Sequence, residues 1–457
     1  MTELSKLKLN DSKATRWGAL AIVAFTMMAA YYVNDVVAPL KSMLESDLHW
    51  SSSEYGFYTG GYSFLNVFLL MLIWGGLILD RFGIRFTGKL ATILMVGGTT
   101  LEYYAITALA DNQTMVSFLG EHKLSVLIAF SGYAIFGVGA EVAGITVTKI
   151  IAKWFKGKEV ATAMGVQVAL ARIGSQGAYA VSIPLAAAFT LSTPILLGLV
   201  FLVGGLIAFF VFAVMDKKLD RQIEKAAIET PEEGEEEKFS FRDVKSILVN
   251  KGFWLIALLC VLFYSCVFPF QKFATELMIE KYGISQNIAG FFAGLPALGA
   301  LILTPVFGGF IDKRGKAASI MLLGSAMLIG VHCIYALPFL HYWLVAIVLM
   351  VVLGIAFSLV PSAMWPSVAK IFPVRQLGTA YSMIFFIQNI GLWGVPTLIG
   401  WVLNTYCRTE TGTEVSYDYT LPMCIFTGIA CLSLVVAVLL KVVDKKCGYG
   451  LEEANLN

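Results

Sequence analysis

The chain has little charge: only 14% of its 457 residues are Asp, Glu, Lys or Arg, against about a quarter in a soluble domain. That charge sums to +2 and is scattered over short loops with no basic stripe, which excludes nucleic acid as a partner. Histidine numbers four, and His49, His122, His332 and His341 all fall in or near loops of one side, so no mid-segment histidine relay for protons is expected. The seven cysteines sit mostly alone in apolar stretches without a C-x-x-C pair, so neither a metal site nor a disulfide framework is expected. No phosphate loop, metal cluster or nucleophile beside a base is present, which argues against an enzyme and implies no cofactor.

Hydrophobic residues, at 58%, take the place of what is missing. Twelve apolar runs recur, at approximately 16–40, 55–79, 87–109, 125–151, 159–184, 194–215, 252–279, 286–311, 317–338, 342–369, 376–404 and 419–441. Each is long enough to cross a hydrocarbon core of roughly 30 Å as a helix. Lipid offers no partner to a backbone amide, and the runs do not alternate in polarity as barrel strands do. The expected fold is an all-α membrane protein of twelve transmembrane helices in two six-helix bundles, 1–215 and 251–457. Between them, "DKKLDRQIEKAAIETPEEGEEEKFSFRDVKSILVNK" supplies a charged linker at 216–250, whose "FSFRDVKSIL" end suits a helix lying on the membrane surface. Of the 33 Lys and Arg, only Lys41, Lys123, Lys281 and Arg408 fall in loops opposite the linker, so both termini and the linker are expected in the cytoplasm.

Two ionisable residues interrupt the runs where charge is most costly. Glu141, in "FGVGAEVAGI", lies about ten residues or roughly 15 Å from the linker-side end of the fourth run, and Arg172, in "VALARIGSQG", about 13 residues or roughly 20 Å into the fifth. Neither snorkels from that depth, so each needs a cavity or a partner. One reading is a static ion pair locking two helices; the other is a binding site. Buried ion pairs stabilise poorly compared with packed apolar groups, which favours the site. A carboxylate suits an ammonium and a guanidinium suits a carboxylate, so the pair points to a zwitterion. The depth offset of roughly 5 Å leans toward a dipeptide, whose end charges lie about 5–7 Å apart, over a free amino acid at about 3 Å.

Small residues around the two charges, Gly137, Gly139, Ala140, Gly144, Gly174 and Gly177, suit either close helix packing or room for a ligand. Matching Phe155 with Phe372 sets Ser358 and Asn389 of the second half opposite Glu141 and Arg172. That half is uncharged there and offers Trp365, Gln388 and Asn389. Pro361 and Pro366 are expected to kink or interrupt the tenth run, and Trp365 between them either lines the cavity or joins the interfacial aromatic belt. Tyr31 and Asp35 either line an outer vestibule or face loop water, and Tyr62 either reaches the cavity or packs in the core. Glu102 is either a proton site or a group reaching the outer interface, and Lys149 and Lys272 are expected to snorkel.

The halves repeat each other. After the second run comes "GGLILDRFGIR", with Gly76, Asp80, Arg81, Gly83 and Arg85; after the eighth comes "FGGFIDKRGK", with Gly308, Asp312, Lys313 and Gly315. "WFKGKEVATAMG" finds an echo in "IFPVRQLGTAYS". Two parallel repeats with a site at their interface are a transporter layout.

The G-x-x-x-D-R-x-G-x-R loop, its weaker copy and the 6+6 arrangement resemble the major facilitator superfamily over essentially the whole chain. The resemblance implies alternating access, with Asp80 holding a helix end and basic loop groups of the neighbouring bundle and so latching one conformational state. A charge relay at a solvated helix junction can bias a two-state equilibrium in that way. The stretches "GAEVAGITVTKIIAKWFKGKEVATAMGVQVALARIGS" and "PSAMWPSVAKIFPVRQLGTAYSMIFFIQNIGL" further resemble the lysosomal dipeptide transporter branch. That likeness implies a peptide amine on Glu141, its carboxylate on Arg172, and Trp365 lining the site. The tails "MTELSKLKLND" and "GYGLEEANLN" carry no acidic dileucine signal, so a cell membrane, inner or plasma, is expected over the lysosomal one. The first run lacks the E-x-x-E-R pattern of proton-coupled oligopeptide transporters, and their coupling does not carry over.

The expected function is therefore a carrier of dipeptides or similar zwitterions embedded in the lipid bilayer, with protons left open as a further cargo. Two alternatives stand: a carrier of small organic anions with Glu141 as proton site, and a non-transporting receptor, which would call for a large loop or tail domain that is not seen.

Overall fold

The computed structural model describes residues 8–156, 158–229, 241–411 and 414–454. Helix α1 (Lys13–Asp35) starts where the Ser12 hydroxyl accepts from the Thr15 amide, and a 3-10 turn at Ala38–Leu40 leads to the short α2 (Lys41–Leu48). A capping box of Ser51 and Glu54 opens α3 (Ser52–Phe68). A 58° bend separates α3 from α4 (Met71–Thr107), and α4 is itself two helices, broken at Gly83 with φ 75 and ψ 174. Only glycine takes that backbone setting without a Cβ penalty.

Next come a hairpin, β1 (Met115–Ser117) and β2 (Glu121–Lys123), then α5 (Leu124–Trp154), α6 (Val160–Ala188) and α7 (Thr193–Glu229). After α8 (Phe241–Val249), the second half opens with α9 (Lys251–Glu280). Helices α10 (Gln286–Ala293) and α11 (Leu295–Arg314) meet at Gly294, followed by α12 (Ala317–Ala336), α13 (Trp343–Ile371) and α14 (Val374–Val402). A second hairpin, β3 (Arg408–Thr411) with β4 (Glu414–Tyr417), precedes α15 (Thr420–Cys447).

Among the described residues nine helical stretches, with α1–α2 and α10–α11 each counted as one, and the bent α3–α4 pair as a tenth, are long and apolar enough to cross a membrane. Dividing α4 at Gly83 and adding the 29-residue α6 accounts for the twelve expected. Lipid-facing flanks stay apolar, as Ile207 and Val214 on α7 and Leu432 and Val435 on α15 show.

Helix α7 runs on into the charged linker as far as Glu229; residues 230–240 lie outside the described residues, and the "FSFRDVKSIL" end contributes α8. Two expectations change. Of the kink or interruption expected at Pro361 and Pro366, the interruption does not occur: α13 is continuous through both. His332 is not a loop residue: it is buried on α12, with Nε2 against the Cys266 carbonyl at 3.1 Å.

The two halves meet most closely on the side opposite the linker, here the far side, where α3 begins and α14 ends. There a Cβ on Gly56 would stand 2.5 Å from the Pro396 carbonyl oxygen, and one on Gly400 would stand 2.4 Å from that of Ser52. Such contacts need glycine on both helices. The first hairpin packs on this side too, with His122 stacked on Phe57 at 4.1 Å. Burial holds that imidazole below its ordinary pKa, a pull that nearby Glu54 only partly opposes.

Candidate functional site

Between the halves lies a cavity of about 550 Å³, a size ordinary for small-molecule sites. Glu141 from α5 and Arg172 from α6 both line it. The Tyr62 hydroxyl on α3 donates to Glu141 Oε1 at 3.1 Å. The Arg172 guanidinium lies 4.7 Å from the centre of the Phe357 ring and 5.6 Å from that of Tyr31. Among the described residues Arg172 has those ring contacts but no hydrogen bond or ion pair, and Glu141 has no cationic partner. The static-pair reading therefore fails. An acid and a base face one space, and among the described residues neither has an ion-pair partner.

Glycine spacing serves both expected uses. A Cβ on Gly137 would strike the Tyr62 carbonyl oxygen at 2.1 Å and one on Gly174 the Met28 carbonyl oxygen at 2.2 Å, whereas Gly144 lines the cavity with nothing nearer than 4.0 Å. Close packing sets the helices, and Gly144 leaves room.

From the second half, Trp365 lines the cavity and is no belt residue. Its Nε1 donates to the Tyr264 hydroxyl at 3.2 Å, and its ring stacks on Phe385 with centroids 4.8 Å apart. Gln388 also lines the space, with Cys260 Sγ donating to its Oε1 at 3.4 Å. Tyr31 and Tyr62 line it from the first half.

Other expected residues lie elsewhere. Asn389 is 1% exposed and donates back to the Phe385 carbonyl of its own helix at 2.9 Å; one step beyond Gln388 turns the side chain by about 100°. Ser358 is likewise buried and bonded within α13. Asp35 is not among the cavity-lining residues, because Lys272 Nζ binds its carboxylate at 3.0 Å. Lys272 does not snorkel: it lines the cavity's far end and also donates to the Asn34 carbonyl at 2.5 Å and the Tyr133 hydroxyl at 3.3 Å. Glu102 does not reach the interface; it is fully buried and accepts from the Tyr58 hydroxyl.

The motif residues split into two groups. Asp80, 76% exposed, accepts from Lys149 Nζ at 2.7 Å, so in this state its ion-pair partner lies in its own half and not in the neighbouring bundle. Arg85 reaches α7, 2.9 Å from Asp220 and 3.7 Å from the buried Asp216, which Lys153 also binds at 2.8 Å. Arg81 lies over the Phe82 ring, Gly76 has open space around it, Gly83 forms the break, and Asp312 sits near the end of α11. With the far side packed shut and Thr148 and Val168 of the lining exposed, the cavity opens toward the linker side.

Sequence reasoning missed Lys272 as a site residue. The visible signal was "FPFQKFATEL", a lysine and a glutamate one turn apart inside an apolar run; their partners sit more than two hundred positions away.

Residues 20–396 match the family model described as Major Facilitator Superfamily. The lysosomal dipeptide transporter MFSD1 of Mus musculus is 27% identical over 449 residues, covering 96% of this chain and 88% of that protein. Its Homo sapiens counterpart is 28% identical over the same length and shares. The crystal structure of the nucleoside transporter NupG superposes with a TM-score of 0.69 at 14% identity, covering 92% of this chain and 98% of that one, a likeness of fold alone. These similar proteins are transporters by name and not enzymes.

Proposed function

The chain belongs to the major facilitator superfamily and is a multi-pass membrane transporter, and from that premise we propose that it carries dipeptides or similar small zwitterions by alternating access. The peptide amine docks on Glu141 and the carboxylate on Arg172. The observation that carries this reading is the acid and the base facing one cavity, neither with an ion-pair partner among the described residues. Relatives named as dipeptide transporters along nearly the whole chain support it.

Chemically, the cargo completes the site. A zwitterion neutralises both charges at once, so the loaded cavity has less desolvation to bear than the empty one when water is excluded. The Arg172 fork accepts a carboxylate in two parallel hydrogen bonds, with Phe357 and Tyr31 steadying its plane. Trp365 and Gln388 contribute surface and a hydrogen-bonding edge to the peptide between its charged ends. In the same reading the halves 1–215 and 251–457 rock about the site, joined by 216–250. Asp80, with Gly76, Arg81, Gly83, Arg85 and Asp312, forms linker-side latches that engage when that side closes. Which membrane holds it is the finer part of the reading: a cell membrane is proposed, the relatives are named as lysosomal, and fractionation of the tagged chain decides between the two.

The experiment is thermal stabilisation of the purified protein. A free dipeptide at about a hundred times its dissociation constant adds about 2.7 kcal/mol, and the same peptide acetylated on its amine adds far less. Equal responses to free and acetylated peptide would overturn the assignment. An amine-free acid stabilising as well as the dipeptide would favour the organic-anion reading instead.

A further inference from the structure

The β1–β2 hairpin does not stand out from the far side; it folds back along the flank of the first half. Its contacts with α3, which runs inward from a far-side start, trace the direction. At the root the Lys123 amide donates to Glu54 Oε1 at 3.0 Å. Next, the His122 ring stacks on Phe57 at 4.1 Å. At the turn, the Phe118 ring lies 6.3 Å from that of Phe64 and 6.4 Å from that of Phe130 on α5. Glu54 and Phe64 are about ten residues apart on α3, roughly 15 Å along the axis, so the tip points toward the membrane midplane.

Polarity follows the same direction. Ser117 and Glu121 pair across the strands, both exposed, and beyond them the turn carries Phe118 and Leu119, 44% and 64% exposed. Leu119 takes a left-handed φ of 52, a setting that costs leucine backbone energy, and its exposed side chain has little protein to pack on. The level of the tip follows from α5. Lys149, paired with the exposed Asp80, marks the linker-side surface of that helix. The roughly 20 residues that cross a hydrocarbon core, counted back from it, end near Phe130, the ring that Phe118 approaches.

We propose that the tip of the β1–β2 hairpin, Phe118 and Leu119, is a lipid-docking surface seated where headgroups meet acyl chains in the far-side leaflet. At that level the outer flank of α3 and α5 borders lipid, so the apolar tip leaves water while Glu121 stays among headgroups. The strands pair with each other over Met115–Lys123, Val116–His122 and Ser117–Glu121, which limits the cost of unpaired backbone in that layer. No particular headgroup is called for, since the ammonium of Lys123 is held by the His49 carbonyl. The second hairpin differs: Thr409 is exposed and Arg408 pairs with Glu410 at 2.6 Å, with exposures of 40% and 60%, a surface suited to water.

No cargo enters the test, so its outcome is separate from that of the dipeptide assignment. The full-length chain, with its seven native cysteines replaced by serine, carries an environment-sensitive fluorophore at Leu119→Cys or at Thr409→Cys in phosphatidylcholine vesicles. The Leu119 label emits at shorter wavelength and is quenched by phosphatidylcholine bearing a nitroxide near its headgroup, whereas iodide on both sides of the membrane leaves it bright. The Thr409 label behaves in the opposite way. A Leu119 label that iodide reaches as readily as the Thr409 label overturns the proposal. So does one shielded from both quenchers, which marks a protein contact such as a second copy. In the unaltered chain, a phospholipid with a diazirine near its headgroup gives adducts on the first hairpin and not on the second; equal adducts on the two, or none on the first, overturns the proposal as well.

Discussion

The two halves of the molecule repeat each other in helices and loops, but not in charge. The first half sends Glu141 and Arg172 into the cavity; at the matching places of the second stand Ser358 and Asn389, both buried and bonded within their own helices. What the second half offers beside them is aromatic surface, Phe357, Trp365 and Phe385, with Gln388, and its one cavity-lining charge among the described residues, Lys272 at the far end, is already paired with Asp35. A further asymmetry runs along the membrane normal. On the far side the halves are joined by cross-pairs, whereas Asp80 and Arg85 on the linker side pair within the first half.

If the charged half does the recognising, the largest losses must come from it. Arg172→Ala should weaken dipeptide binding by about 2–3 kcal/mol, roughly 30- to 150-fold, read by thermal shift titration. Glu141→Gln should cost nearly as much and should erase the preference for free over acetylated peptide. Smaller effects belong to the second half: Trp365→Ala about tenfold, Gln388→Ala about threefold, both keeping that preference. A Gln388→Ala loss rivalling that of Arg172→Ala would break the comparison.

Stability should move the other way. Replacing an unneutralised intramembrane cation with a flexible apolar side chain relieves a desolvation cost, so Arg172→Met should raise the ligand-free melting midpoint by about 1–3 °C while losing stabilisation by peptide. The smallest effect separates the two far-side hairpins. His122 is held below its ordinary pKa by burial, so the unfolded hairpin binds the proton first as pH falls below about 6.5, and stability drops through that window. Protection factors of the β1–β2 amides, which correct for the slower intrinsic exchange at lower pH, should fall as pH drops below about 6.5, a change that His122→Phe removes and that β3–β4, which lacks histidine, does not show.

How much of this was legible beforehand follows physical lines. Membrane spans announce themselves because lipid forces long apolar runs, and Glu141 and Arg172 stand out against that background. Gly83 was visible as a motif residue, though the bend at Leu69–Leu70 was not, since no proline or glycine marks it. Gln388 and Asn389 could not be told apart, because a single residue of helical phase separates a cavity wall from a packed interior. Asp35, Lys41, Lys272 and Glu276 were unreadable as pairs: each looks like a stray charge near a segment end until tertiary packing brings together positions 235 and 237 residues apart. Asp80 shows the limit of motif reasoning: the motif implied a partner in the neighbouring bundle, and the ion pair here is with Lys149 of its own half.

The most direct measurement is a density map of the carrier with a bound dipeptide. The account requires the ammonium within hydrogen-bond reach of the Glu141 carboxylate and the peptide carboxylate held by the Arg172 guanidinium. A map with Glu141 and Arg172 turned onto each other and the peptide lodged elsewhere would contradict it.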